Sequence, residues 1–175
     1  MGDTYNAVLK EIVDETPTVK CFHLTFDRLL DHSTGQFIQV ILNKEGKEIK
    51  KSYSIASLPG DPFVELCINK VPGGFASTLF HEMKTGQELT FEGPYGHFTP
   101  DYSHTGEWVF IATGTGIAPL RAMIKDVLAR GIEQKIYLIF GNRYEEDIIY
   151  KKEFEDLAAK HKNFLPFFIV SRNKE

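Results

Sequence analysis

Ile111-Ala112-Thr113-Gly114-Thr115-Gly116-Ile117-Ala118-Pro119 is the stretch on which the reading of this chain turns. The apolar run Trp108–Ala112 before it reads as a short buried strand, and a helix is expected from about Ala118 to Arg130. Pro119 suits a first helical turn, where its missing N–H is not needed. Gly114 and Gly116 let the backbone turn tightly and approach a bound group closely. The amino end of the helix then offers free N–H donors and the positive end of a dipole to a phosphate. A tight strand-to-helix turn that binds nothing uses the same residues, so this stretch alone leaves both readings open.

Working outward, Gly131 caps the expected helix, Ile136–Phe140 is a second apolar strand, Lys151–Lys160 is helical and Phe167–Val170 is a third strand. Strand–helix–strand–helix–strand is half of a doubly wound α/β domain. Towards the amino end the pattern differs. Val19–Phe26 alternates with Phe22, Leu24 and Phe26 on one face, and Phe37–Leu42, Tyr53–Ala56, Phe63–Asn69 and Glu88–Glu92 follow as strands between turn signals. One helix interrupts them, from about Gly74 to Lys84, with Phe75, Leu79 and Met83 four apart. Short strands with one inserted helix predict a small antiparallel β-barrel. The polar stretch Asp101–Gly106 separates the patterns, giving a barrel domain over 1–100 and a doubly wound α/β domain, truncated to its first half, over 104–175.

The chain has 175 residues, of which 42% are hydrophobic, enough for one large or two small domains. Its net charge of −4 argues against a general nucleic-acid-binding role. No run of 18 apolar residues is present to span a membrane, and Asp3, Glu11, Asp14 and Glu15 do not read as a signal peptide, so a cytoplasmic location is expected. Cys21 and Cys67 are too few for the usual iron–sulfur ligand set and read as half-buried strand thiols. His23, His32, His81, His97, His104 and His161 show no metal-ligand spacing, so no metal site is expected.

Gly114–Pro119 resembles the GTGxAP segment of the ferredoxin-NADP⁺ reductase superfamily, and other signatures of that family stand in the family's order. Lys51-Ser52-Tyr53-Ser54 is similar to its RxYS flavin motif, and Gly73-Gly74-Phe75-Ala76-Ser77 to its glycine-rich segment opening a helix. Gly93–Gly96 with His97-Phe98 resembles the stretch closing the flavin barrel, and Gly35-Gln36-Phe37 a strand start assigned to the fold. Gly141-Asn142-Arg143, with Asp147 and Tyr150, looks like the GxR…D…Y element, and Ser171-Arg172 like the pair ending the third strand in NADP-preferring members.

The resemblance implies a flavoprotein, with FAD in preference to FMN and NADP or NAD as the second cofactor. Tyr53 would lie along the flavin and the Ser54 hydroxyl near its reactive nitrogen, with Thr115 where the nicotinamide approaches; these three form the candidate catalytic set. Lys51 stands where the family has arginine and offers a point charge in place of a bidentate fork. Ser52 completes that motif. The amides from Gly74 to Ser77, with the Ser77 or Thr78 hydroxyl, would meet the flavin pyrophosphate. Gly114, Thr115, Gly116 and Arg143 would hold the second nucleotide, and Ser171 and Arg172 its 2′-phosphate. Arg143 reads equally as a salt-bridge partner of Asp147, Tyr53 as strand packing and Ser54 as a turn hydroxyl. The implied activity is electron transfer between NAD(P)H and a carrier such as ferredoxin or flavodoxin. The alternative is a non-catalytic flavin-binding subunit of a larger complex.

Family members run on through two more strands, one followed by a cysteine-glycine motif and the last by a tail near the flavin. In the order 3-2-1-4-5 the strand holding Val109, Phe110 and Ile111 would be central, and without them it is an exposed apolar edge. The chain is therefore expected to be a piece of a longer polypeptide, or one that a partner chain completes.

Overall fold

A computed structural model describes residues 3–172. Nine strands and three helices follow one another as β1 (Asp3–Asp14), β2 (Val19–Phe26), β3 (Phe37–Lys44), β4 (Lys47–Ser54), β5 (Val64–Asn69), α1 (Phe75–Glu82), β6 (Glu88–Tyr95), β7 (Trp108–Thr113), α2 (Ile117–Ala129), β8 (Ile136–Asn142), α3 (Lys151–Lys160) and β9 (Phe164–Val170). The first six strands form an antiparallel sheet in the order β4-β3-β6-β1-β2-β5. It curls until Ile55, just past β4, bridges to Leu66 of β5. Alternate residues point inward, so Tyr5, Leu9, Phe22, Leu24, Ile38, Val40, Leu66 and Phe91 fill the interior, and Phe80 of α1 plugs it.

β1 is the element that patterning misses, although it lies between β6 and β2. Tyr5, Ala7 and Leu9 alternate inward, but a bulge between Leu9 and Glu11 shifts the phase and breaks the period-two signal. The charged half of β4, Lys47–Lys51, is exposed and pairs with β3 through a turn at Glu45 and Gly46, both at positive φ. A lysine-rich edge strand discourages pairing with other chains, which explains charge where strand composition would predict apolar residues.

The remaining strands form a parallel sheet in the order β7-β8-β9. Phe110, Ala112, Leu138 and Phe140 face the helices and join Ile124, Val127 and Phe154 in one core. The opposite face is open among the described residues: Val109 is 58% and Ile111 68% exposed, and Phe167 and Ile169 are exposed beside them. β7 lies at the edge of this sheet among the described residues, as expected, with Val109 and Ile111 exposed and Phe110 turned into the core.

α2 is buried around most of its girth because it lies between the parallel sheet and the curled sheet. Gly35 allows this approach. It sits at φ +92°, and a Cβ there would fall 1.9 Å from the Phe98 carbonyl oxygen and 2.3 Å from the Met123 Cε of α2. Tyr102 donates to Asp126 of α2, and the Arg130 guanidinium lies 3.8 Å over the Tyr102 ring. Gly35→Ala should therefore lower stability by about 3 kcal/mol or more, combining left-handed strain with a backbone clash. Gly60→Ala, at φ +87° with open space around its Cβ, should lose only about 1 to 2 kcal/mol. Thermal melts that rank the two equally would refute this account of the contact.

Candidate functional site

Two cavities hold half of the candidate site residues singled out above. The first, of about 750 Å³, opens between the two sheets. Thr113, Gly114 and Thr115 form its floor, Gly141, Asn142 and Arg143 one side and Ser171 the far end. The β1–β2 turn, Thr16-Pro17-Thr18, and Asn69 close it from the curled sheet. β7 ends at Thr113, and Gly114–Gly116 make one 3-10 turn before α2 starts. Gly114 has φ +50° with nothing near the place of a Cβ, and no side chain caps the amino end of α2. The Ile117 N–H donates to the Gly114 and Thr115 carbonyls and Pro119 has none, so what this end offers an anion is chiefly the positive end of the helix dipole.

The far end of this cleft is stitched by backbone. Ser171 N–H donates to the Asn142 carbonyl over 3.0 Å and Arg172 N–H to the Arg143 carbonyl over 2.9 Å, which sets the two segments side by side. Asp147 accepts from the Tyr144 amide at 3.3 Å, and no Arg143–Asp147 ion pair occurs among the described residues. The Asn142 side-chain nitrogen is shielded from solvent and has no acceptor in the protein. A buried donor left unmatched costs about 1–3 kcal/mol, so an acceptor entering the cleft would recover that loss. These features fit an anionic dinucleotide.

The second cavity, of about 760 Å³, runs along α1 and is lined by Lys44, Gly73, Gly74, Phe75 and Thr78. Gly73 is at φ +71° with open space beside it, leaving the approach to α1 clear. The Ser77 hydroxyl, expected to face a phosphate, instead accepts from Val71 N–H at 3.1 Å and donates to the Gly74 carbonyl at 3.2 Å. It and Ala76 are buried, while Thr78 remains at the cavity wall. Lys51, Ser52, Tyr53 and Ser54 occupy the last residues of β4, outside this cavity. Ser52 accepts from Gln39, and the Tyr53 ring meets Phe80 edge-on at 5.2 Å, so packing takes part of that ring. Lys51 projects from an exposed position, a cation available to a phosphate.

A charged cluster that sequence reading did not find joins α2, α3 and β5. Arg121 of α2 donates to Glu65 of β5 at 3.0 Å, to the Ala56 carbonyl at 2.9 Å and to Glu153 of α3 at 2.5 and 3.1 Å. Glu65 also accepts from the Tyr150 hydroxyl at 2.6 Å and pairs with His23 at 3.0 Å, while the other His23 nitrogen pairs with Glu11 at 2.9 Å. Burial alone would raise the Glu65 pKa, but the His23 hydrogen bond, the Arg121 charge and the Tyr150 hydroxyl outweigh it and hold the carboxyl at about 2. The hydrogen bond to Glu65 raises His23 against its own desolvation. Cys21 and Cys67 face one another across β2 and β5, fully buried where strand thiols half-buried were expected. Their mutual hydrogen bond and burial push the Cys21 thiol up, so it stays neutral beside Tyr150. The signal for this cluster was a glutamate inside a continuously buried apolar strand and an arginine inside an apolar helix.

The sequence matches two domain families along its length: an oxidoreductase FAD-binding domain over residues 6–99 and an oxidoreductase NAD-binding domain over residues 110–175. Ferredoxin–NADP reductase B of Sorangium cellulosum is 42% identical over 125 residues, 71% of this chain and 51% of that protein. The reductase component of a phenol 2-monooxygenase from Pseudomonas sp. (strain CF600) is 35% identical over 93% of this chain and 46% of its own length. The chain thus spans about half the length of the curated relatives it matches. Among solved structures, the cytochrome P450 reductase GcoB of Amycolatopsis superposes with a TM-score of 0.90 at 26% identity, over 99% of this chain and 53% of that one. A ferredoxin NADP⁺ reductase from Neisseria gonorrhoeae with bound FAD and NADP shares the fold, with a TM-score of 0.89 at 20% identity over 100% of this chain and 71% of that one.

The charged cluster predicts a defined pH response. Glu65 has a folded pKa of about 2, below the roughly 4.3 of an unfolded chain, so its contribution is complete above about pH 5 and is lost as pH falls towards 2. His23, raised when folded, acts with the opposite sign: its contribution is complete below about pH 6.5 and is lost as pH rises through its folded value. Glu65→Gln should cost about 3 kcal/mol at pH 7 and flatten the acid limb of melting temperature against pH. An acid limb parallel to that of the unsubstituted protein would rule out Glu65 as its source.

Proposed function

The chain belongs to the ferredoxin-NADP⁺ reductase superfamily of oxidoreductases, and from that premise we propose that it moves electrons between NAD(P)H and a one-electron carrier through a bound FAD. The observation that carries this reading is the cleft between the sheets, which gathers Gly114, Thr115, Arg143 and Ser171 around the uncapped start of α2. The flavin, when bound, supplies the hydride-accepting and single-electron-donating chemistry, so no side chain need act as nucleophile or strong base. The protein's work is to bind, orient and exclude water.

In this reading residues 1–100 hold the flavin and residues 104–175 begin the nucleotide domain. Lys51 and the backbone from Gly73 through Gly74, Phe75 and Ala76 to Ser77, with the Thr78 hydroxyl, hold the flavin pyrophosphate. Ser52 keeps β4 in register by accepting from Gln39. Tyr53 packs along the flavin, and Ser54 offers its hydroxyl near the reactive nitrogen. Gly114, Thr115 and Gly116 receive the nicotinamide nucleotide, with Thr115 nearest its ring, and Arg143 takes a phosphate. Ser171 and Arg172 take the 2′-phosphate, which favours NADP over NAD. The acceptor is a ferredoxin, a flavodoxin or an oxygenase component, the last suggested by relatives described as reductase components of oxygenase systems. Two unbridged buried thiols accord with a reducing compartment such as the cytoplasm. No helix among the described residues is long and apolar enough to cross a membrane.

The full-length protein should be yellow with FAD, and NADPH should bleach its flavin absorbance within seconds. Arg172→Ala should weaken NADPH binding by about tenfold or more while leaving NADH binding unchanged. Colourless protein that takes up no added FAD, or flavin that neither nucleotide reduces, would overturn the proposal.

A further inference from the structure

Three buried side-chain nitrogens among the described residues have no hydrogen-bond partner: His32 Nε2, Trp108 Nε1 and Asn142 Nδ2. Of these, only Asn142 lines the cleft between the sheets. It is the last residue of β8, and its backbone carbonyl is already occupied by the Ser171 amide at 3.0 Å and the Ser171 hydroxyl at 3.4 Å. Asn142 thus lines the cleft together with Gly114, which precedes α2, and Ser171, with its side-chain amide donor unmatched. A protein retains such a group against its cost to stability where a ligand completes it.

We infer that the Asn142 side-chain amide donates to an acceptor oxygen in the ribose–diphosphate part of the nicotinamide nucleotide, an inference that rests on the nucleotide reading of this cleft. Gly114 and Thr115, which lead into α2, line one space with Asn142, and an ester-linked diphosphate supplies acceptors there. Two carboxylates share the cleft, Glu146 and Asp147. Asp147 is turned back onto the Tyr144 amide. A neutral amide at this cleft is thus a donor that adds no charge and serves NADP and NAD alike.

The test separates binding from stability. In the full-length, flavin-loaded protein, Asn142→Leu keeps the shape and removes the polar atoms, and Asn142→Asp replaces the donor with an anion. Calorimetric titration with NADP⁺, NAD⁺ and ADP-ribose should show affinity for all three falling about tenfold in Asn142→Leu and further in Asn142→Asp. Without nucleotide, Asn142→Leu should melt at or above the temperature of the unsubstituted protein, because the unmatched donor is gone. Unchanged affinity in both variants overturns the inference, as does a lower melting temperature of Asn142→Leu with affinity retained, which marks a structural amide. If Asn142→Leu does not fold, Asn142→Asp decides by affinity alone. Unsubstituted protein that binds none of the three ligands sinks the nucleotide reading itself, a separate outcome.

Discussion

The architecture depends on a single buried charge contact, between Arg121 of the first crossover helix and Glu65 of the curled sheet. A guanidinium and a carboxylate withdrawn from water lose several kcal/mol of hydration each, which their mutual attraction returns only if the remaining hydrogen-bonding positions are filled. Here they are. Glu153 and the Ala56 carbonyl take the other arginine donors, and Tyr150 and His23 saturate the carboxylate. The cluster gains less as net stability than as uniqueness, since any other docking of the two sheets would strand a charge in the interior.

That uniqueness has a geometric consequence for the proposed sites. Arg121 sits one turn into α2, whose first residue follows Gly116, and Ala56 lies two residues past Ser54. One hydrogen bond therefore ties the end of the candidate flavin strand to the helix that opens at the candidate nucleotide loop. A second tie, from Tyr102 to Asp126, holds the far half of the same helix, and the close approach of Gly35 to Met123 lies along it. A helix pinned along its length cannot rock, which is what transfer between two ring systems requires of the parts that carry them.

Local signals and distant ones differ in how far they can be read from sequence. The turn at Gly114–Gly116 was legible because strand, glycines and helix are consecutive, and the barrel strands were legible wherever alternation ran unbroken. β1 was not, since a bulge after Leu9 interrupts its period, and neither was the charged half of β4, whose lysines serve an edge. The Ser77 hydroxyl looked like a ligand contact and turned out to close its own loop onto Val71. The interface cluster was out of reach for a different reason: Glu65 meets Arg121 from 56 positions away and Tyr150 from 85. Its only trace in the sequence is a charge where the burial pattern allows none.

The Arg121–Glu65 contact and the cleft differ in how far their polar groups are satisfied, although His32 and Trp108 also carry an unmatched nitrogen away from the cleft. At the domain contact each side chain named above has its partners, down to thiols held neutral beside the tyrosine hydroxyl. The cleft presents a glycine with open space beside it and an amide without an acceptor, and it adjoins a helix start that no side chain caps. Folding alone gives no reason for the two regions to differ, because unmatched donors lower stability wherever they lie. The contrast is expected if the first region exists to hold the second still, and the second keeps its donors for a ligand that the chain itself does not contain.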